Sequence, residues 1–172
     1  LMIQCSRGCP FDCEFCDITA LYGRRARVKN ADQLIKELQA IYDLGWRNSV
    51  FIVDDNFIGN KGKIKKMLPR LIQWMQTYHY PFQFITEASI NLADDDELIE
   101  LMAEAGFNRV FIGLETPSEE SLEECSKHQN RDRNMVAAIK KLQAAGIQVL
   151  GGYIVGFDND DEGIFHRQIK FI

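Results

Sequence analysis

One local pattern recurs three times in this chain: a helix-like segment ends in a glycine, and a run of β-forming residues begins almost at once. The glycines are Gly45, Gly106 and Gly146, and the runs that follow include 50–53, 110–112 and 149–150. Glycine just beyond a helix commonly adopts the left-handed conformation that ends it. Repeated alternation of helix and strand predicts an α/β fold with parallel strands and right-handed crossovers.

Apolar residues at helical spacing mark the segments between these runs, as in Ile64, Met67, Leu68 and Leu71. The predicted strands lie near 1–5, 49–53, 82–88, 109–114 and 148–155, and the predicted helices near 32–44, 61–77, 94–105, 118–125, 132–145 and 161–171. Periodicity leaves two architectures open, a barrel-like layer with helices outside only and a doubly wound open sheet. The abrupt ends suggest an excised domain.

The composition is that of an ordinary globular chain, with 172 residues, 46% hydrophobic and 26% charged. No apolar run approaches the roughly 20 residues that span a bilayer, so we expect no transmembrane segment. A net charge of -5 argues against a dedicated nucleic-acid-binding protein. The basic stretch 24–29 is expected to be a solvated loop, although its position could let it meet an anionic group.

Four of the five cysteines lie within the first sixteen residues, at Cys5, Cys9, Cys13 and Cys16. The last three have the spacing CxxxCxxC, and short fixed spacings of this kind are typical of iron–sulfur ligation. A zinc site would need four ligands, and no second pair follows. A disulfide framework is disfavoured because no signal peptide accompanies the cysteines. Cys125 is expected to be a small buried hydrophobe.

Polar residues and glycines cluster where the later predicted strands end, which is where parallel β/α folds place their chemistry. They are Asp54 and Asp55, Glu87 and Ser89, Glu115, and Gly152, Ile154 and Gly156. Each also has a purely structural explanation. The two aspartates could open a loop, Glu115 could pair with Arg109 or Lys127, and paired glycines could relieve crowding.

With Phe15 directly before the last cysteine, CxxxCxxC resembles the signature of the radical S-adenosylmethionine (SAM) superfamily. The resemblance implies a [4Fe-4S] cluster on Cys9, Cys13 and Cys16, whose open iron binds the amino and carboxylate groups of SAM. Reductive cleavage of SAM would then yield a 5'-deoxyadenosyl radical. It also implies a partial (βα)6 TIM-like barrel, here truncated to about five βα units of one radical SAM core domain spanning 1–172.

Residue roles follow from the same resemblance. Asp54 and Asp55 stand at the position of the SAM-amino motif, and Glu115 stands at the position of the ribose-binding residue. Cys5 would lie beside the cluster without being a ligand. The main chain of Phe15 and the segment Gly152, Ile154 and Gly156 would lie against adenine. Glu87 and Ser89 are further polar contacts, and no catalytic residue is assigned.

Segments 6–18, 51–60, 86–93 and 151–158 more specifically resemble the cobalamin-dependent radical SAM proteins that include hopanoid methylases. This implies a cobalamin-binding domain upstream, a last strand and C-terminal region downstream, and methylation of a small-molecule or lipid-like substrate. An external electron donor such as flavodoxin or ferredoxin, a cytoplasmic location and no nucleic-acid partner are also expected. Two alternatives stay open: a methylthiotransferase of tRNA or ribosomal protein, and a four-cysteine iron–sulfur electron-transfer or structural module.

Overall fold

The computed structural model describes residues 1–172, which form seven β-strands and seven α-helices. The strands are β1 (Met2–Ile3), β2 (Ser6–Arg7), β3 (Arg27–Val28), β4 (Ser49–Ile52), β5 (Gln83–Glu87), β6 (Phe107–Glu115) and β7 (Gln148–Tyr153). The helices are α1 (Ile18–Tyr22), α2 (Ala31–Asp43), α3 (Lys61–Thr77), α4 (Asp96–Glu104), α5 (Glu119–Glu124), α6 (Met135–Ala144) and α7 (Ile164–Phe171). Short 3-10 turns lie at Phe57–Asn60, Ile90–Asp94 and His128–Asn130. No helix combines the length and apolar character needed to cross a bilayer.

Five of the strands form one parallel sheet in the order β1-β4-β5-β6-β7. The order follows the chain without reversal, and right-handed crossovers then place every connecting helix on the same face. A doubly wound sheet would reverse its order and carry helices on both faces. The sheet is therefore of the singly wound, barrel-like kind that was predicted, and it is open between β1 and β7.

The core lies between the sheet and its helices. Alternate strand residues, among them Val50, Ile52 and Val110, are fully buried against the helices. Residues of the opposite parity lie on the uncovered face, which we call the inner face and which carries Met2, Phe51, Ile85, Phe111 and Leu150. Phe111 is 40% exposed and Leu150 is 41% exposed. The inner face is thus apolar and largely open.

The helix ends follow the sequence signals. Gly45, Gly106 and Gly146 have φ angles of 84°, 96° and 83° just beyond α2, α4 and α6, which confirms the left-handed stops. At the other end of α2, the Asn30 side chain accepts from the Gln33 amide and the Gln33 side chain accepts from the Asn30 amide. This reciprocal capping box satisfies two amides that the helix itself leaves free.

The predicted strand at 1–5 is wrong beyond residue 3, because side-chain bonds take over from the sheet. The amides of Cys5 and Ser6 donate to the Asp54 carboxylate at 2.7 and 2.8 Å rather than to a neighbouring strand. Ser6–Arg7 then pairs antiparallel with Arg27–Val28. The basic stretch 24–29, predicted to be a loop, therefore contributes one strand of a two-stranded hairpin, whose other strand lies within residues 5–16, the cysteine segment.

Candidate functional site

The carboxyl ends of β4, β5 and β6 and the cysteine segment surround one pocket. Eight of the residues singled out in the sequence line it: Cys9, Cys13, Phe15, Cys16, Asp55, Glu87, Ser89 and Glu115. Four others, Asp54, Gly152, Ile154 and Gly156, do not line it. The residues that sequence analysis did not single out for the site include Asn56, Phe111, Gly113, Lys127 and Gln129.

Two consecutive carboxylates at the end of β4 hold the cysteine segment. Asp54 is buried, and it accepts hydrogen bonds from the amides of Cys5 and Ser6 and, at 2.7 Å, from the Ser6 hydroxyl. Asp55 accepts from the Gly8 amide at 3.0 Å and faces the pocket. Burial raises the pKa of Asp54, and the bonds from Ser6 and Cys5 act against that rise. Asp54 is thus committed to anchoring the segment, whereas Asp55 is also available to a ligand.

The five cysteines fall into two groups by burial. Cys9, Cys13 and Cys16 are partly exposed around the pocket, whereas Cys5 and Cys125 are buried. The Cys5 thiol lies 3.7 Å from the Met67 sulfur, and burial raises the pKa of Cys5. Burial also raises the pKa of Cys9, so position rather than acidity sets Cys5 apart: it is buried and does not line the pocket. No three His, Cys, Asp or Glu side chains converge as the ligands of a single metal ion would.

Glu115 and Lys127 form a buried ion pair at the pocket wall. The Lys127 Nζ lies 2.7 Å from Glu115 Oε1, and the two side chains are only 12% and 7% exposed. This confirms Lys127 as the partner of Glu115. Lys127 also lies 5.5 Å from the centre of the Phe15 ring, within cation–π range. The sequence offered Arg109 and Lys127 alike as partners of Glu115, and the packing of the segment around Lys127 selects the lysine.

The backbone around this pair is unusual. Glu115 has a φ of 65°, in the left-handed region that non-glycine residues rarely adopt, and such residues concentrate at functional sites. Two residues earlier, a Cβ on Gly113 would overlap the Glu115 carboxylate and lie 3.0 Å from Lys127 Nζ. The missing side chain at Gly113 therefore makes room for the ion pair.

Glu87 adds negative charge to the pocket opposite this pair. Its pKa is raised, first by burial and then by the neighbouring charge of Asp55. Two carboxyl groups that face one pocket attract a cation, and a bound cation would lower the pKa of Glu87 again. Asp55 and Glu87 therefore favour a positively charged group of a ligand.

The segment Gly152, Ile154 and Gly156 joins the ends of β7 and β6. A Cβ on Gly152 would lie 2.6 Å from the Phe111 ring, so this glycine admits that ring to the inner face. The Ile154 amide donates to the Glu115 carbonyl at 2.8 Å. Gly156 has a φ of 106°, and its amide donates to the Asp160 carboxylate. Of these contacts, the Ile154 bond is the one that fixes the backbone of Glu115.

The residues that line the pocket fit an iron–sulfur cluster with a ligand beside it. That ligand would have a zwitterionic amino-acid end and a second positive charge elsewhere. Three accessible thiols match ligation that leaves one iron open. The Gln129 amide oxygen is buried without a hydrogen-bond partner, and a bound polar group would satisfy it. The pocket wall also offers three kinds of contact. The acidic groups provide hydrogen-bond acceptors, Lys127 provides a positive charge, and the exposed Phe111 ring provides an apolar surface.

The chain resembles methyltransferases over nearly its whole length. It is 51% identical to an uncharacterized methyltransferase of Synechocystis sp., over 99% of this chain and 32% of the relative. It is 42% identical to the hopanoid C-2 methylase of Rhodopseudomonas palustris, again over 99% and 32%. The chain thus spans about a third of the length of these curated relatives.

Solved structures agree with the fold. The radical S-adenosylmethionine methyltransferase TsrM from Kitasatospora setae, determined with cobalamin and a [4Fe-4S] cluster bound, superposes with a TM-score of 0.84. That similarity covers 99% of this chain and 34% of TsrM at 16% sequence identity. The sequence-family model described as the Radical SAM superfamily matches residues 3–168 of this chain. With the sheet, the cysteine segment and this match in agreement, the chain belongs to the radical SAM superfamily.

Proposed function

We propose that this chain is the core of a radical SAM methyltransferase, with a [4Fe-4S] cluster on Cys9, Cys13 and Cys16 and SAM beside it. The observation that carries the proposal is that the three accessible thiols share one pocket with Asp55 and Glu115. When bound, the cluster supplies the electron that cleaves SAM reductively. The chain's own residues bind and orient the reactants.

The pocket residues divide the recognition of SAM among them. Asp55, with Glu87 next to it, attracts the ammonium group of SAM. Glu115 accepts hydrogen bonds from the ribose hydroxyls, while Lys127 orients the Glu115 carboxylate. Ser89 is a further polar contact at the end of β5. Asp54 acts indirectly, by holding the start of the cysteine segment in place.

Adenine would lie between the main chain of Phe15 and the end of β7. Gly152, Ile154 and Gly156 are outside the pocket lining, so adenine would have to extend past Phe111 to reach them. The close packing of Phe111 on Gly152 also explains that glycine without a ligand. Of all the proposed contacts, those of Gly152, Ile154 and Gly156 therefore have the least support.

Methylation through cobalamin is the finer part of the proposal. It is supported by the similarity to a hopanoid methylase and by the fold shared with TsrM, whose structure holds cobalamin. The open, apolar inner face suits a small or lipid-like substrate. A low-potential donor such as flavodoxin or ferredoxin would supply the electron. A methylthiotransferase is less favoured because the most similar relatives named above are methyltransferases, and a four-cysteine module is less favoured because Cys5 is buried.

Single cysteine variants test the proposal. In the full-length protein, we expect Cys9→Ala, Cys13→Ala and Cys16→Ala each to abolish reductive SAM cleavage, measured as 5'-deoxyadenosine by mass spectrometry. Cys5→Ala is the matched control and should retain most of the activity, since its thiol is buried against Met67. Equal loss in Cys5→Ala would contradict the assignment of the three ligands.

Electron paramagnetic resonance distinguishes a radical SAM enzyme from a four-cysteine electron-transfer module. Adding SAM to the reduced cluster should change the spectrum, because SAM binds the open iron. A cluster held by four cysteines would give an unchanged spectrum, and that result would overturn the proposed function.

A further inference from the structure

Asn56 follows β4, and its side chain contacts both Ser89, which follows β5, and the thiol of Cys9. Its side-chain oxygen accepts from the Ser89 amide at 3.3 Å, and its Nδ2 donates to the Ser89 hydroxyl at 3.0 Å. The same Nδ2 lies 3.7 Å from Cys9 Sγ, within hydrogen-bond range for sulfur. Ser89 in turn donates to the Asn91 side chain at 2.6 Å. Asn56 is 3% exposed, so its amide is fixed against Cys9.

Gln129 makes the corresponding contact on the other side of the pocket. Its Nε2 donates to Cys13 Sγ at 3.6 Å. The 3-10 turn that carries Gln129 is anchored by Asn130, which is fully buried and donates to the carbonyls of Gly113 and Leu114 at 3.0 and 3.1 Å. Two of the three thiols that line the pocket thus each receive one amide N–H from a side chain held by other residues.

We propose that Asn56 and Gln129 are positioning residues that raise the reduction potential of the cluster through these N–H···S hydrogen bonds. This inference rests on the cluster of the proposed function. Hydrogen bonds to the sulfurs are among the factors that set the potential of an iron–sulfur cluster. Neither residue was singled out from the sequence as part of the site.

The direction of the effect follows from charge. The cluster gains one electron from a low-potential one-electron reductant, and no bond forms or breaks. The added negative charge is shared by the thiolate sulfurs, so a donor to a thiolate stabilises the reduced form more than the oxidised form. A hydrogen bond to a charged acceptor in a water-poor site is also stronger than one between neutral groups. Removing either amide therefore makes the cluster harder to reduce.

The test compares reduction potentials in the full-length protein reconstituted with iron and sulfide. Reduced cluster is measured by electron paramagnetic resonance against applied potential, without SAM. At the wild-type midpoint, Gln129→Met should lower the ratio of reduced to oxidised cluster about tenfold, a shift of about 59 mV. The matched control is Gln143→Met on the exposed surface of α6, which should not shift it.

Two further variants test the direction of the shift in midpoint potential. Asn56→Asp loses the donor and adds negative charge, so its midpoint should also fall. Gln129→Lys restores a donor and should return the midpoint to the wild-type value or above it. Iron and sulfide content, measured on each sample, show that the cluster is present.

An unchanged midpoint in Gln129→Met with a full cluster would overturn the inference, as would an equal shift in Gln143→Met. Loss of the cluster in both Gln129→Met and Asn56→Asp would assign the amides to cluster assembly and would overturn it as well. The proposed function fails separately, if the wild-type protein assembles no cluster at all.

Discussion

Single residues shape the proposed SAM pocket, and the absence of a side chain matters there as much as the presence of one. Gly113 has no Cβ, and the Glu115–Lys127 pair occupies the space that a Cβ would need. Breaking one partner away from a buried ion pair is costly, about 3–5 kcal/mol, because the other charge stays buried. A side chain at Gly113 would therefore disturb the position of the Glu115 carboxylate.

We expect Gly113→Ala to weaken SAM binding roughly tenfold, about 1.4 kcal/mol, with the cluster retained. The added methyl group would displace the Glu115 carboxylate from Lys127. Isothermal titration of SAM measures the affinity, and iron content checks the cluster. Gly62→Ala in α3 is the control, because the nearest atom to its Cβ is 3.9 Å away. Equal affinities in the two variants would contradict this role of Gly113.

At the level of single residues, sequence reasoning could tell which side chains share the pocket where the signal was local. Asp55, Glu87 and Glu115 all follow or end strands, so the strand-end rule was enough to bring them together. Lys127 and Gln129 lie between α5 and α6, and packing of the 3-10 turn against β6 directs them into the pocket. Asp54 and Asp55 are adjacent in sequence, and only their different hydrogen bonds separate an anchoring residue from a candidate ligand contact.

Among the elements, the small hairpin of β2 and β3 supports the cysteine segment. Gly8 ends its first strand with a φ of 96°, and a Cβ there would lie 2.9 Å from the carbonyl oxygens of Gly23 and Arg25. The backbone needs glycine both for its angle and for its space. The sequence offered no sign of this hairpin, because its two-residue strands are too short for a periodic pattern.

Gly8→Ala should lower the iron content of the reconstituted protein to less than half. The substitution strains the backbone and pushes residues 23–25, which lead into β3, away from the cysteine segment. Gly45→Ala is a matched control, since its φ is 84° but no atom lies within 4 Å of its Cβ. That variant should lose about 1 kcal/mol of stability and keep its iron. Equal iron content in both variants would rule out the hairpin's role.

Strands β6 and β7 are fitted to each other through Phe111 and Gly152. Gly152→Ala would press a methyl group into the Phe111 ring and should destabilise the protein by about 1–3 kcal/mol. Chemical denaturation measures the loss. Phe111→Leu combined with Gly152→Ala should recover most of it, because the smaller side chain leaves room. An additive loss in the double variant would show that the ring is not the cause.

At the scale of the whole molecule, the sheet has one helix-covered face and one open face. The alternation of helices and strands was enough to predict a parallel α/β fold. It could not choose between barrel-like and doubly wound architectures, because both alternate in the same way. The choice depends on strand order, which long-range pairing sets.

The isolated 172-residue chain should bind the fluorescent dye ANS through its inner face. Large exposed apolar patches are uncommon on soluble monomers, and this face presents Met2, Phe111 and Leu150 to solvent. Phe111→Thr combined with Leu150→Thr should reduce the fluorescence at least about twofold. Val136→Thr, a change at an exposed site on α6, is the control. Equal fluorescence in both proteins would place the dye elsewhere.

The left-handed backbone at Glu115 has a consequence for how this protein could change under selection. A non-glycine residue in that conformation costs about 1–2 kcal/mol, which glycine would recover. Glycine alone would strand the Lys127 charge, at a greater cost. A library screened only for heat resistance should therefore keep both residues or replace both together. Variants that lose the pair jointly should gain thermal stability and, if the proposed role of Glu115 holds, lose affinity for SAM.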